Sequence, residues 1–204
     1  NDVIPGLRQI NSIDYKDGIL YIGGSNYNTV PKKGWILEYN ADTLAFITSH
    51  VVLDHWCEGG AWHDGYFWCV YDDYSYISKY DSGWNHIADY ELTYSLESGT
   101  HKYNGCTWLG DYVYINIHEG SVPTTCDVYY WNGVSFEEFN RLQPPTTCCH
   151  QGLQIDPTNS SVMWFAERSY PEVGTNQVVK SEFDRSGFSV GLNKHCRTDF
   201  GDVR

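Results

Sequence analysis

The 204-residue chain sets 13 Lys and Arg against 26 Asp and Glu, a formal charge of −13 at pH 7. That balance excludes a nucleic-acid binder, which needs a basic footprint. No apolar stretch reaches the roughly 18 residues that a membrane-spanning segment needs, so no membrane insertion is expected. The aromatic share is high, with 17 Tyr, 8 Trp and 8 Phe, and there is one Met. Such a composition favours strands over helices, and the length suits a single domain with one sizeable core.

In chain order, four segments repeat. They begin at Arg8, His55, His101 and Cys148, 46 or 47 residues apart, a period typical of β-sheet repeat architectures. Each opens on a polar residue followed by a small one: Asn11-Ser12, Glu58-Gly59, Asn104-Gly105 and Gln151-Gly152. A short strand then runs to a turn at Asp17-Gly18, Asp64-Gly65, Gly110-Asp111 or Asp156 to Asn159. Asp-Gly between apolar runs is a hairpin signal, because mirror-image turns need positive φ. A nearly continuous apolar strand follows in each unit, as in Tyr66 to Tyr71. A run without alternation fits a strand covered on both faces.

A second hairpin is marked by an aromatic and then Asn or Asp, at Tyr39-Asn40, Tyr80-Asp81, Trp131-Asn132 and Phe183-Asp184. Outer strands such as His86 to Leu92 close the units. Four antiparallel strands per repeat predict an all-β fold, a β-propeller of about four four-stranded blades. The expected blades span about 8–53, 54–98, 99–145 and 146–192, with 193–204 as a tail or ring closure, and 1–9 is a second segment able to supply a closing strand.

The chain resembles β-propeller repeat proteins, and Gly18 to Asn26 followed by Ile36 to Thr43 is similar to a kelch blade. Only blade 1 carries the paired glycines of that motif. Blades 2 to 4 have Tyr71-Asp72, His118-Glu119 and Glu167-Arg168 in their place.

In a propeller the first strand of each blade starts at the channel mouth, on the face where the second strand ends. Asn11, Glu58, Asn104 and Gln151 are therefore expected around the axis, with His55, His101 and His150 just before them. Asn26, Asp72, Asp73, His118, Glu119, Glu167 and Arg168 are expected on the same face, and Tyr74 in a loop beside them. Glycine at this step lets backbones approach closely. The oxygen-rich ring of Asn11, Glu58, Asn104 and Gln151 either plugs the channel with amides and water or holds Ca²⁺ or another ion. The Asp64-Gly65 turn sets residues 57 and 72 opposite each other, which makes Glu58 and Asp72 neighbours.

Three functions compete. Long loops rich in Pro, Tyr and Asn, with Tyr27, Tyr74 and Tyr170 in them, suit a lectin-like or adhesin-like module that binds a glycan or a protein. Glu58 with Asp72, Glu119 or Glu167 has the chemistry of a glycoside hydrolase or lyase, which needs two carboxyl groups. A third role is a scaffold domain within a larger assembly, such as a viral or phage receptor-binding protein. Recognition without catalysis is the favoured expectation. Seven cysteines, an odd number, suggest an extracellular or virion-surface setting with disulfides. Cys126 is expected near Cys148-Cys149, and Cys196 is placed to tie the ring. Asn159-Ser160-Ser161 forms a glycosylation sequon, and the start at Asn1 reads as a processed form or part of a longer chain.

Overall fold

The computed structural model describes residues 4–93, 102–118, 125–142, 149–156, 158–168 and 177–182. They form a β-propeller of antiparallel sheets. Blade 1 comprises β1 (Gln9–Lys16), β2 (Ile19–Ser25), β3 (Gly34–Asn40) and β4 (Phe46–Val51). Blade 2 comprises β5 (Cys57–His63), β6 (Tyr66–Tyr71), β7 (Tyr74–Tyr80) and β8 (His86–Glu91). Blade 3 comprises β9 (Lys102–Leu109), β10 (Tyr112–His118), β11 (Thr125–Trp131) and β12 (Phe136–Leu142). In blade 4 the described strands are β13 (Cys149–Ile155), β14 (Val162–Arg168) and β15 (Gln177–Glu182). The turn at Phe183-Asp184, the tail and Cys196 lie outside the described residues.

The turn chemistry explains the strand order within each blade. Asp17 and Gly18 have φ of 52° and 82°, and Asp64 and Gly65 have 49° and 77°, as a mirror-image hairpin turn demands. At the second hairpin, the Oδ1 atoms of Asn40, Asp81 and Asn132 each accept from two backbone amides two to four residues ahead. These side chains close the loop alongside its backbone bonds, such as Asn40 N to Ala45 O and Asp81 N to Asn85 O.

The polar-small step is a β-bulge in every blade. Ile10 pairs with Gly24 and Ile13 with Ile22, so Asn11 and Ser12 share one partner position. The ladder also slips at Glu58, at Asn104-Gly105 and at Gln151. Bulges bend the strand and re-aim side chains. Gly59 and Gly105 take φ of 120° and 128° to do this. At the axis the backbones nearly touch: a Cβ on Gly59 would stand 1.6 Å from Ser12 Oγ, and one on Gly105 2.7 Å from Ser12 Cβ.

Apolar cores lie between the blades. Tyr21, Ile36 and Val52 of blade 1 meet Phe67, Cys69, Tyr71 and Tyr80 of blade 2. Trp68, Val70 and Ile77 of blade 2 meet Tyr103, Val113, Ile115 and Tyr129 of blade 3. Tyr114 and Val128 of blade 3 meet Leu153, Ile155 and Met163 of blade 4. Both faces of β6 and β10 are thus covered by neighbouring blades, the physical reason that these strands do not alternate. Trp68 anchors the middle core edge-on to Trp131 and Phe136, at 5.1 and 5.6 Å. A fourth apolar group, Ile4, Trp35 and Leu37 with Leu7 and Ile22, stays on blade 1 alone. Of the N-terminal segment expected to supply a closing strand, the described residues 4–8 form no strand. Ile4 packs on blade 1's own sheet, Arg8 N donates to Ser25 O at 2.9 Å, and Gln9 already begins β1.

The cysteines correct a second expectation. Cys57, Cys69, Cys106 and Cys126 are buried free thiols, so Cys126 forms no bond to Cys148 or Cys149. Burial pushes the thiols of Cys69, Cys106 and Cys126 up, which leaves them unreactive core residues. Cys57 and Cys69 lie 3.4 Å apart, sulfur to sulfur, inside the core between blades 1 and 2.

Two predictions follow from this packing. Gly59→Ala must fit a side chain where the axis has no room, at a φ that L-residues rarely adopt. Urea unfolding is expected to show a loss of about 3 kcal/mol or more, against roughly 1 kcal/mol for Gly65→Ala, whose turn has open space. The second concerns Asp14, whose Oδ2 accepts from Trp62 N across blades 1 and 2 at 2.9 Å. Burial raises its pKa from 3.8 to about 6, against the opposing pull of the Trp62 and Tyr15 amides and Lys16. The folded protein therefore holds this proton more tightly than the unfolded chain. The stabilisation is complete below pH 3.8 and is lost as pH rises through about 6, a change of about 3 kcal/mol at most. Asp14→Asn is expected to flatten the pH 4–7 dependence of the urea midpoint.

Candidate functional site

Where the second strands of blades 1 and 2 end, the loop from Asn26 to Lys33 turns over blade 2. Asn26 shapes that loop: its Nδ2 donates to Pro31 O and its Oδ1 accepts from Lys33 N, both at 2.8 Å. The Val30-Pro31 peptide is cis. Asn26, expected as a ligand-binding residue, thus spends its side chain on its own loop, and that loop delivers Lys32.

Asp73 is the hub of the site. Its carboxylate accepts from Trp56 N at 3.0 Å, meets His55 Nδ1 at 3.2 Å and pairs with Lys32 Nζ. Burial works against its ionisation, but the Lys32, Trp56 and His55 contacts prevail and hold its pKa below the usual carboxylate value. Around it, the His55 ring stacks on Tyr74 at 4.1 Å and 15°, and Tyr74 lies 4.8 Å from Tyr76. Tyr27 packs at 5.2 Å on Trp56, over which Lys32 Nζ stands at 4.8 Å. All five rings are half-buried. The result is an aromatic shelf with a lysine and a carboxylate set into it.

The structure brings His55, Asp73 and Tyr74 together on one face, with Tyr74 at the start of β7 rather than in a loop, and adds Lys32 and Trp56, which sequence reasoning missed. A signal for Trp56 was present in the repeats: the aligned positions hold Gln9, Lys102 and Cys149, so blade 2 alone has an aromatic there. Lys32 had no such signal, because its role depends on how one loop folds over the next blade.

The axial residues are placed differently from the shelf. Glu58 is 1% exposed and Asn104 is 3% exposed, each within its bulge. Asn116 is fully buried across the blade-3 bulge. Asn11 Oδ1 accepts from Gln9 Nε2 at 2.8 Å. The expected register is corrected by the bulge: Cys57 lies opposite Tyr71, not residue 72, and Asp72 N donates to Trp56 O at 3.0 Å. Asp72 is itself buried. His118, His150, Gln151, Glu167 and Arg168 occupy β10, β13 and β14, where His150 pairs with Glu167 and Cys149 with Arg168; their side chains lie outside the described residues, as do His101, Glu119 and Tyr170 entirely.

A set of ligand atoms suited to a metal occurs at the opposite end of the inner strands, on the hairpin turns. His63, Asp64 and Asp111 place their donor atoms within 4.8 Å of one another. The His63 ring stacks on Trp108 at 4.0 Å and 3°, and burial lowers its pKa despite Asp64 and Asp111 nearby. Both aspartates are exposed.

No protein-family model matches the chain, and no curated protein matches it in sequence. Solved structures match in fold. The WD40 domain of Neurospora crassa Pan2 shares 13% identity over 96% of this chain and 53% of its own, with a TM-score of 0.54. A luciferin-regenerating enzyme shares 14% identity over 94% of this chain and 67% of its own, with a TM-score of 0.59. A protein of unknown function from Bacteroides caccae shares 10% identity over 98% and 71%, with a TM-score of 0.55. The chain thus spans about half the length of the Pan2 domain, and these likenesses support a propeller fold and nothing finer.

Replacing Asp73 by Ala removes the group that joins the loop to blade 2. Amide exchange over residues 26–33 is expected to speed up, with a loss of about 1 kcal/mol in global stability, since the Lys32 end is partly solvated. Because the Asp73 pKa is depressed, its contribution holds above pH 3.8 and fades as pH falls below that value.

Proposed function

We propose that this propeller is a recognition module that binds a glycan on the shelf formed by Tyr27, His55, Trp56 and Tyr74. The observation that carries this reading is the His55–Tyr74 stack, half open to solvent and fixed in place by Asp73. Flat rings with polar edges cover the apolar face of a sugar while hydrogen-bonding its rim. Asp73 and Lys32 add an acceptor and a donor beside the rings. Preorganisation matters in such a site, because side chains already held lose little freedom on binding.

The hydrolase alternative has less support. Glu58 and Asp72 are buried, and the chain approaches closely beside Glu58 at Ser12, Gly59 and Gly105. A ring of axial oxygens holding Ca²⁺, a protein partner, an extracellular setting and membership of a larger assembly stay as secondary proposals, each carried by composition rather than by geometry.

A glycan array followed by titration calorimetry tests the shelf. Wild type is expected to retain at least one class of saccharide, and Tyr74→Ala to weaken it about tenfold or more. Lys32→Met is expected to weaken it as well, with Tm unchanged within a degree or two. Equal binding by Tyr74→Ala, or no saccharide retained by the wild type, overturns the reading.

A further inference from the structure

The first hairpin turns of blades 2 and 3 meet at the end of the strands away from the shelf. Blade 2 contributes His63, the last residue of β5, and Asp64 of its turn; blade 3 contributes Asp111. One donor atom from each lies within 4.8 Å of the other two, and His63 Nε2 stands 3.4 Å from Asp64 Oδ2. Tetrahedral ligands ~2.1 Å from a zinc ion are about 3.4 Å apart, so that pair is already at a coordinating distance.

Turn chemistry accounts for one member of the set and leaves two over. Asp64 precedes Gly65 in a mirror-image turn, where Asp is common whether or not it binds anything. His63 has no such reason. At its position blades 1 and 3 carry Lys16 and Leu109, and blade 4 carries Ile155. Asp111 has none either: blade 3 reverses the Asp-Gly order, and the positive φ of 55° falls on Gly110. The His63 side chain is only 12% exposed and is fixed flat against Trp108, at 4.0 Å and 3°. Its Nε2 is buried and has no hydrogen-bond partner among the described residues. A buried ring nitrogen left unpaired is costly, and a bound ion satisfies it. Charge points the same way. Neither exposed aspartate meets a Lys or Arg side chain among the described residues. Lys79, whose charge reaches His63, holds its Nζ over Tyr66 and Trp68 instead, at 3.7 and 5.0 Å.

We propose that His63, Asp64 and Asp111 form a binding site for one zinc or similar divalent transition-metal ion, which links the hairpins of blades 2 and 3. One imidazole and two carboxylates, with water completing the shell, suit such an ion. Calcium takes six to eight oxygen ligands, which this set does not offer. The inference is independent of the glycan shelf, at the other end of the strands.

Calorimetric titration of zinc into the chelator-treated 204-residue chain tests it. The expected result is one equivalent bound with a Kd of about 10 μM, and a Tm raised by about 5 °C at roughly a hundredfold excess over Kd. Long-range 1H–15N spectra are expected to show the His63 Nε2 resonance shifting as zinc binds. Asp64→Asn and Asp111→Asn both keep residues that turns accept, and each is expected to raise the Kd at least tenfold with the metal-free Tm unchanged. Other histidines beside carboxylates, such as His86 near Asp89, are the competing ligands. Wild-type affinity in either variant, or a His63 resonance that zinc leaves unmoved, therefore overturns the proposal. Calcium bound as tightly as zinc overturns it too, by marking a diffuse acidic surface, as does a zinc Kd above ~1 mM.

Discussion

The fold depends on the close approach of backbones at the axis. The inner strands of blades 1 to 3 converge on a line where Gly59 and Gly105 leave no room for a Cβ beside Ser12, and the bulge near the head of each strand is how the chain reaches it. At Gly59 the missing Cβ is replaced by Ser12 Oγ, and at Gly23 by the backbone of Gly59 itself, 2.2 Å from where a Cβ would stand. Everything outward follows from that convergence. Once the inner strands meet, β6 and β10 are sandwiched between blades, and their continuous apolar runs become part of the inter-blade cores. The bulge also decides which axial side chains are accessible: it buries Glu58 and Asn104 while the ends of the second strands open into the loop that carries the shelf.

The shelf illustrates how a regular scaffold becomes specific. Blades 1 and 2 differ most at their second-to-third connections, a long loop after β2 and a two-residue link, Asp72-Asp73, after β6. The long loop reaches across to the short one, and Asp73 receives it. A half-buried carboxylate with a lysine, an imidazole and a backbone amide around it is a fixed point, and the rings arranged about it inherit its rigidity. The opposite end of the strands carries a different chemistry, with the Asp14 pKa raised by burial and His63 clamped on Trp108. Both ends are built by residues of adjacent blades, so both report on the same packing between blades.

Much of the architecture was legible in the repeats, and the reasons are local. Asp-Gly pairs state the sign of φ, and the Asn or Asp after an aromatic supplies its own turn bond. The register across β5 and β6 was not legible, because a bulge leaves the hairpin turn unchanged and shifts everything beyond it by one residue. Counting back from Asp64-Gly65 puts residue 72 opposite residue 57; the extra residue at Glu58 puts Tyr71 there instead. The thiols failed for a related reason. Cysteine count alone does not separate a disulfide framework from small buried hydrophobes, and Cys106 and Cys126 prove to be core residues of two different interfaces.

The sequence by itself determined the strand periodicity, the number of repeats, the turns and the polar-small step, because each is fixed by backbone conformation within a few residues. Only the tertiary structure decided that Lys32 meets Asp73 and that Glu58 is buried. Those outcomes depend on which blade lies beside which, and on how a loop from one crosses to the next. Asp72 and Asp73 are chemically identical neighbours, yet one is buried and the other anchors the shelf. Side chains alternate direction along a chain, and that difference acquires meaning only when a neighbouring blade occupies one of the two directions.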